Sequence, residues 1–193
     1  MLKSIAGGCG ITSQLVGLMV LLGTISSSPW FSWTKNYLSV LGIRGATTTL
    51  FNSGLILTGV LSLMFAIGLR KSLLSGQQLG QLGMISLILG SGAFSAIGIF
   101  PRTTGFPHNC ASIAFFIFVY LAIFLIGIMD MTASQKIWGF LSLTACAVVI
   151  AFRLVPWPWS GGAIPQLLSC LPWSLWTIAF GVRLLMRPTP VNV

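Results

Sequence analysis

The side chains of this sequence that could do chemistry fall in three aromatic-rich stretches. His108, the only histidine, and Arg102 lie in IFPRTTGFPHN, and Arg153 is the first residue of RLVPWPWSGGAIPQ. An imidazole can carry a proton or bind a metal, and two guanidinium groups could clamp a phosphate or carboxylate through paired hydrogen bonds. Two alternatives stay open: His108 is a structural hydrogen-bonding residue, and the arginines contact lipid phosphates without specificity.

The third stretch, SPWFSWTKNYLSVLG, joins two long apolar runs. Aromatic rings favour the headgroup level of a membrane, where an apolar body and a polar N–H or O–H both find suitable surroundings. Pro29, with Ser28 before it as a cap, predicts a short helix that starts after Pro29 and lies in the membrane interface. This helix would be a structural anchor or a lid over a lipid or small-molecule pocket.

Together the three stretches supply a candidate site for a lipid or another ligand. Its residues are Trp33, Lys35, Asn36, Arg102, His108, Arg153 and Trp157. Cations and rings at the interface level meet anionic lipid headgroups. Membrane lipids are therefore the expected partners, and we predict no other cofactor.

Catalytic and metal-binding chemistry finds little support in the composition. The one acidic residue, Asp130, lies near the opposite end of its apolar run, and the chain has no glutamate. This excludes carboxylate acid–base catalysis at the candidate site, and a lone histidine without a nearby cysteine pair cannot build a zinc site of three or four ligands. A serine or cysteine nucleophile activated by His108 stays open, but there is no G-x-S-x-G motif. We predict no catalytic residue and no metal, and the sequence leans against an enzyme.

The composition of the chain indicates which secondary-structure elements position these residues. The 193 residues are 55% hydrophobic and 6% charged, with a mean hydropathy of +0.98, whereas soluble proteins contain about 25% charged residues. Backbone groups in lipid must be satisfied within each segment, which requires helices. We predict an all-α bundle of six transmembrane helices that forms a single domain over residues 1–193. The predicted spans are 8–27, 46–69, 79–100, 110–131, 137–155 and 165–186.

The charge distribution fits a multi-pass protein of the cell membrane. The net charge is +9, but the cations stand singly at the ends of apolar runs, which does not indicate nucleic-acid binding. Six cations against four favour an orientation with both termini in the cytoplasm. With six spans, the three aromatic-rich connections 28–45, 101–109 and 153–165 all lie on one side of the membrane, whichever way the protein is inserted.

Small residues recur at helical spacing in and before the third span. They are Gly76, Gly80, Gly83, Ser86, Gly90, Gly92 and Ala96. Such residues let transmembrane helices approach closely. They predict contacts within the bundle, with a homodimer face or a contact with another membrane subunit as the alternatives.

Several of these motifs resemble a known family. The order of SPWFSWTKNYLSVLG, LFNSGLILTG, IGIFPRTTGFPHN and GGAIPQLLSCLPWSLWTIAFGVRLL is similar to the "domain of unknown function 998" family of small archaeal and bacterial membrane proteins. The resemblance implies six transmembrane helices and a distant likeness to the eukaryotic Frag1, DRAM and Sfk1 proteins, which act in lipid remodelling and autophagy. It supplies no catalytic residue. The family tends to have a carboxylate where this chain has Gln166, a difference that favours a binding or assembly role.

Three functions are compatible with the sequence. The first is a non-catalytic accessory, structural or lipid-contacting subunit of a membrane complex, with other membrane subunits or a second copy as partner. The second is a lipid or isoprenoid-ligand binder, or a lipid-headgroup enzyme, with its site on the aromatic side. The third and weakest is a transporter or channel, because coupled carriers place ionisable groups near the middle of the membrane and these spans have none there.

Overall fold

The computed structural model describes residues 2–73 and 77–186 and contains six long α-helices. Their bounds are α1 (Leu2–Ser26), α2 (Thr48–Leu73), α3 (Gln78–Ile99), α4 (Phe106–Thr132), α5 (Lys136–Leu154) and α6 (Ala163–Met186). Each is long and apolar enough to cross a membrane, and the described residues include no strand. The prediction of an all-α, six-helix fold is confirmed.

The six helices form a closed ring. Each packs against the next along the chain, and α6 packs back against α1. Aromatic side chains from α2, α4 and α6 fill the centre, among them Phe65, Phe115 and Trp176. The indole N–H of Trp176 donates a hydrogen bond to Ser142 Oγ of α5 at 2.8 Å. The ring arrangement brings α1 and α6, the two ends of the sequence, side by side.

The outward surface of the ring is apolar. Met19, Ile137 and Phe140 expose 64%, 82% and 70% of their surface, and many other large apolar side chains are exposed in the same way. A surface of this kind is stable in hydrocarbon rather than in water, so the chain is a multi-pass membrane protein. The cell membrane as its location and the cytoplasmic position of both termini stay predictions.

Small residues are used for helix contacts within the chain. A Cβ atom added to Gly83 would lie 2.9 Å from Ile126 Cγ1, and one added to Gly90 would lie 2.7 Å from Val119 Cγ2. Both glycines therefore let α3 pack closely against α4. Gly76 lies outside the described residues.

The start of α4 lies before its predicted span and is set by two residues. Gly105 has φ +67° and ψ −106°, a conformation that residues with a Cβ rarely adopt. Pro107 falls in the first turn. Backbone N–H groups in the first turn have no partner within the helix, so proline, which lacks an N–H, costs no helical hydrogen bond there. The helix therefore begins at Phe106, rather than near residue 110, and includes His108 in its first turn.

The short helix predicted after Pro29 is not there. Instead, Ser32 N–H donates to Asn36 Oδ1 at 2.8 Å, and Asn36 N–H donates to Ser32 O at 2.9 Å, so this segment forms turns. The asparagine side chain competes with helical hydrogen bonding, and Ser28 Oγ makes no hydrogen bond to any residue that the structure describes. A 3-10 helix follows at Leu38–Gly42, and its position in the membrane interface stays a prediction.

Candidate functional site

The aromatic end of the bundle consists of the connections 27–47, 100–105 and 155–162. The backbone N–H groups of Gly161 and Ala163 donate to the carbonyl oxygens of Thr34 and Asn36, each at 2.9 Å. A Cβ on Gly161 would lie 2.5 Å from the carbonyl carbon of Lys35, so only glycine permits this approach. The first and third connections are therefore held together by backbone pairing.

Gln166 adds a side-chain contact to this pairing. Its Oε1 accepts a hydrogen bond from the backbone N–H of Leu38 at 2.8 Å. Gln166 lies in the first turn of α6 and Leu38 is the first residue of the 3-10 helix. The bond thus fixes the position of the 3-10 helix over the start of α6.

Arg102 joins the second connection to the first. Its Nη1 donates to Ser39 Oγ at 3.2 Å, and its guanidinium group lies over the ring of Tyr37, 4.5 Å from the centroid. Trp33 packs edge-to-face on Phe31 with 5.4 Å between ring centroids. Two predicted site residues, Arg102 and Trp33, therefore make contacts within the protein at the surface of the aromatic end.

His108 is buried, with 6% of its surface exposed. Its Nδ1 lies 2.8 Å from the carbonyl oxygen of Phe100, at the end of α3. Because a carbonyl oxygen only accepts hydrogen bonds, Nδ1 must carry the hydrogen. In the neutral ring Nε2 is then an acceptor, and it has no hydrogen-bond partner among the described residues.

The ring of His108 lines a cavity of about 300 Å³ inside the aromatic half of the bundle. The wall is largely apolar and includes Leu15, Leu18, Phe94, Phe115, Leu171 and Leu175. Its polar members include Gln14, Thr58, Ser112 and Gln166. We call this space the apolar cavity.

The apolar cavity opens sideways between α1 and α6. Near the opposite end of the bundle these helices touch, since a Cβ on Gly7 would lie 2.7 Å from the Gly181 carbonyl oxygen. Toward the aromatic end, Leu15, Leu18 and Leu175 line the cavity and are also 49%, 49% and 66% exposed. Residues that belong to both the cavity wall and the outer surface mark the opening, which faces the surrounding hydrocarbon.

A second polar group lies deeper in the apolar cavity than His108. Thr58 is 1% exposed, and its Oγ1 has no hydrogen-bond partner in the described part of the chain. Its neighbour Gly59 packs against Ser95 of α3, five residues before Phe100, the partner of His108. Thr58 is one residue nearer the aromatic end than Gly59, so at 1.5 Å per residue it lies about 6 Å deeper than His108.

A second cavity of about 460 Å³ lies beside the first, at the surface of the aromatic end. Its wall includes Tyr37, Phe116, Arg153, Trp157, Trp159 and Gln166. The guanidinium group of Arg153 lies 4.9 Å from the centroid of Phe116, and the rings of Trp157 and Trp159 stack at 5.4 Å. We call this space the arginine cavity.

A family model described as "Protein of unknown function (DUF998)" matches residues 11–183, which include most of every helix. The chain belongs to the DUF998 family. Comparisons with curated proteins and with solved structures gave no match. The family predicted from the motifs is confirmed, while the likeness to Frag1, DRAM and Sfk1 proteins stays a prediction.

The opposite end of this DUF998 bundle contains a buried ion pair. Arg183 of α6 donates from both terminal nitrogens to Asp130 of α4, at 2.6 and 3.0 Å. The guanidinium group also lies over the rings of Trp138 and Phe180. The sequence predicts cations that stand singly at the ends of apolar runs, but Arg183 is buried and paired with Asp130. The available signal was Asp130 itself, because an acid within an apolar run needs a partner.

Four of the seven predicted site residues of the DUF998 protein lie in three places. Asn36 takes part in the backbone pairing of the connections, His108 lines the apolar cavity, and Arg153 and Trp157 line the arginine cavity. The remaining three, Trp33, Lys35 and Arg102, line neither cavity. The arginine cavity is also lined by residues that are not among the predicted site residues, including Tyr37, Ser112, Phe116, Trp159 and Gln166. Tyr37 and Trp159 lie in the aromatic stretches, whereas nothing in the sequence separates Phe116 from an ordinary packing residue.

Proposed function

We propose that this DUF998 protein binds a membrane lipid whose chain occupies the apolar cavity. The lateral opening between α1 and α6 is the observation that carries the proposal. A volume of about 300 Å³ lies at the lower end of the range of about 300–1,000 Å³ for ligand pockets. Because the opening faces hydrocarbon, an occupant would enter from the membrane rather than from water.

Polar groups on the inner wall favour an amphiphile over a plain hydrocarbon. His108 carries an acceptor nitrogen, and the hydroxyl group of Thr58 has no hydrogen-bond partner among the described residues. A buried polar group without a partner costs free energy. A ligand with hydroxyl or carbonyl groups would relieve that cost.

The function that the sequence places first, an accessory, structural or lipid-contacting subunit, loses part of its motivation. It relied on small-residue faces that could contact another chain. Gly83 and Gly90 instead pack against α4 of the same chain. We therefore place lipid binding ahead of an assembly role.

Closing the opening tests the proposal. Leu18→Trp adds bulk to an exposed side chain at the edge of the cavity, so the fold should tolerate it. We expect native mass spectrometry of protein purified in a mild detergent to find one retained lipid on the wild type and little on Leu18→Trp.

Met19→Trp is the matched control, since Met19 is an exposed neighbour on α1 that does not line the cavity. It should retain the lipid as the wild type does. Equal lipid occupancy in Leu18→Trp and the wild type, or a wild type that carries no retained lipid, would refute the proposal.

A further inference from the structure

The aromatic end carries positive charge without a compensating acid. Its cations are Lys35, Arg44, Arg102 and Arg153. The chain has a single acidic residue, Asp130, which is bound to Arg183 at the opposite end. No acidic side chain of this protein can therefore neutralise these cations. Their counter-charge must come from outside the chain.

Three of these cations are guanidinium groups that lie over aromatic rings. Arg44 lies over Trp30, Arg102 over Tyr37 and Arg153 over Phe116, at 4.7, 4.5 and 4.9 Å from the centroids. Of the three, only Arg153 lines one of the two cavities. A ring beneath one face orients the guanidinium group and leaves its N–H edge free for two oxygens of an anion.

The same cavity wall contains an indole N–H without an acceptor. The indole N–H of Trp157 donates to the Phe152 carbonyl oxygen at 3.2 Å. The neighbouring Trp159 Nε1 is buried and has no partner among the described residues. Trp159 and Arg153 both line the arginine cavity, so its wall combines a cation with an indole N–H that lacks an acceptor.

The two cavities adjoin each other. Ser112, Phe116 and Gln166 line both of them. An amphiphile that passes these residues would place its chain in the apolar cavity and its headgroup in the arginine cavity. The distribution of polarity matches such a ligand, because the charged side chain lies in one cavity and the apolar wall in the other.

We infer that the lipid carries a phosphate headgroup, which Arg153 binds in the arginine cavity. This inference rests on the proposed function, since it assumes that the hydrocarbon chain of the lipid lies in the apolar cavity. Phosphate supplies several oxygens for the guanidinium edge and for the Trp159 N–H. The headgroup contact selects among membrane lipids that have similar chains.

Paired probes test the headgroup separately from the chain. Hexadecyl phosphate and 1-hexadecanol share a chain and differ in the headgroup. Native mass spectrometry in maltoside micelles without phospholipid would measure the affinity of each for the full-length protein. We expect Arg153→Gln to weaken hexadecyl phosphate binding about tenfold to a hundredfold, as for the loss of one charge-assisted contact, and to leave 1-hexadecanol binding unchanged.

Arg102→Gln is the matched control, because Arg102 lies at the same end, is stacked on a ring and lines neither cavity. It should change phosphate affinity by no more than about twofold, as expected of a surface charge. Equal losses in the two variants would show diffuse surface attraction and overturn the inference. Equal affinity of the wild type for the two probes would overturn it as well.

Two further measurements distinguish a lipid headgroup from free phosphate, and the failure of this inference from the failure of the proposed function. Inorganic phosphate should not displace hexadecyl phosphate; displacement at similar concentrations would show a site for free phosphate and refute the lipid headgroup. Leu18→Trp should weaken both probes, and if it weakens neither, the proposed function itself fails. Should Arg153→Gln not fold, Arg153→Lys against Arg102→Lys replaces the comparison, with loss of phosphate affinity expected only for Arg153→Lys.

Discussion

His108 shows how one residue can serve both the fold and a ligand. Its Nδ1–H binds the carbonyl oxygen of Phe100 and so joins the first turn of α4 to the end of α3. The same bond fixes the tautomer, which leaves Nε2 as an acceptor in a residue that lines the apolar cavity. The two ring nitrogens therefore have separable roles.

Two substitutions of His108 should separate these roles. His108→Leu removes the donor to Phe100 and should lower the free energy of unfolding by about 1 kcal/mol, the typical value of a hydrogen bond. His108→Asn, whose amide can replace Nδ1–H, should retain most of the stability but lose the acceptor in the cavity. Unfolding of the purified protein in detergent, followed by native mass spectrometry, checks both effects. If His108→Asn is as unstable as His108→Leu, the assigned role of Nδ1 is wrong.

Gln166 occupies a position at which the family resemblance implies a carboxylate. Its Oε1 accepts the Leu38 N–H, a role that either an amide or a carboxylate can fill. We therefore expect Gln166→Glu to keep the thermal stability of the wild type, and Gln166→Met to lose about 1 kcal/mol. Equal stability of Gln166→Met and the wild type in a thermal unfolding assay would contradict this reading.

The sequence could indicate these sites only in part. His108, Arg153 and Trp157 stand out by type, because they are rare or clustered near the ends of apolar runs. Gln166 and Phe116 act through contacts with residues distant in the chain, such as the bond from Leu38, and a single sequence does not report which apolar or amide side chains meet. Residue type therefore suggested candidates, whereas the cavities required three-dimensional information.

At the level of elements, hydropathy predicted the six helices because hydrocarbon imposes both their length and their backbone hydrogen bonding. It did not predict the turns at Ser32–Asn36, where an asparagine side chain competes with a helix. It also gave no sign that α1 and α6 touch at one end and separate at the other. That contact depends on Gly7 and Gly181, which are in contact although they lie near opposite ends of the sequence.

Adjacent glycines in α1 provide a test of this helix contact. Gly7→Ala would place a Cβ 2.7 Å from the backbone oxygen of Gly181, which cannot move aside as a flexible side chain does. We expect a loss of about 1–3 kcal/mol in the free energy of unfolding, typical of overpacking. Gly8→Ala meets nothing within 4 Å and should cost no stability. Equal thermal stability of the two variants would show that α1 and α6 are not packed in this way.

For the whole molecule, the ring of helices is fastened differently at its two ends. Backbone pairing and the Gln166 bond hold the aromatic end, while Asp130 and Arg183 join α4 to α6 at the opposite end. Charged groups inside a membrane protein are costly unless they are paired. The pair therefore specifies the position of α6 in the ring more than it adds net stability.

Removing one partner of the ion pair should be far more harmful than removing both. Asp130→Leu or Arg183→Met leaves a buried charge without a partner and should cost about 3–5 kcal/mol of unfolding free energy. The double variant should recover most of this loss, because two apolar side chains replace the pair. Denaturation in mixed micelles measures all three. A double variant that is as unstable as the sum of the single variants would contradict this interpretation.

The most direct test of the account is an experimental density map of the protein in a native lipid environment. We predict a chain-shaped density between α1 and α6, beside Leu18 and Leu175, with its polar end toward the aromatic end of the bundle. A map in which α1 and α6 pack together along their whole length and leave no cavity would contradict the central claim.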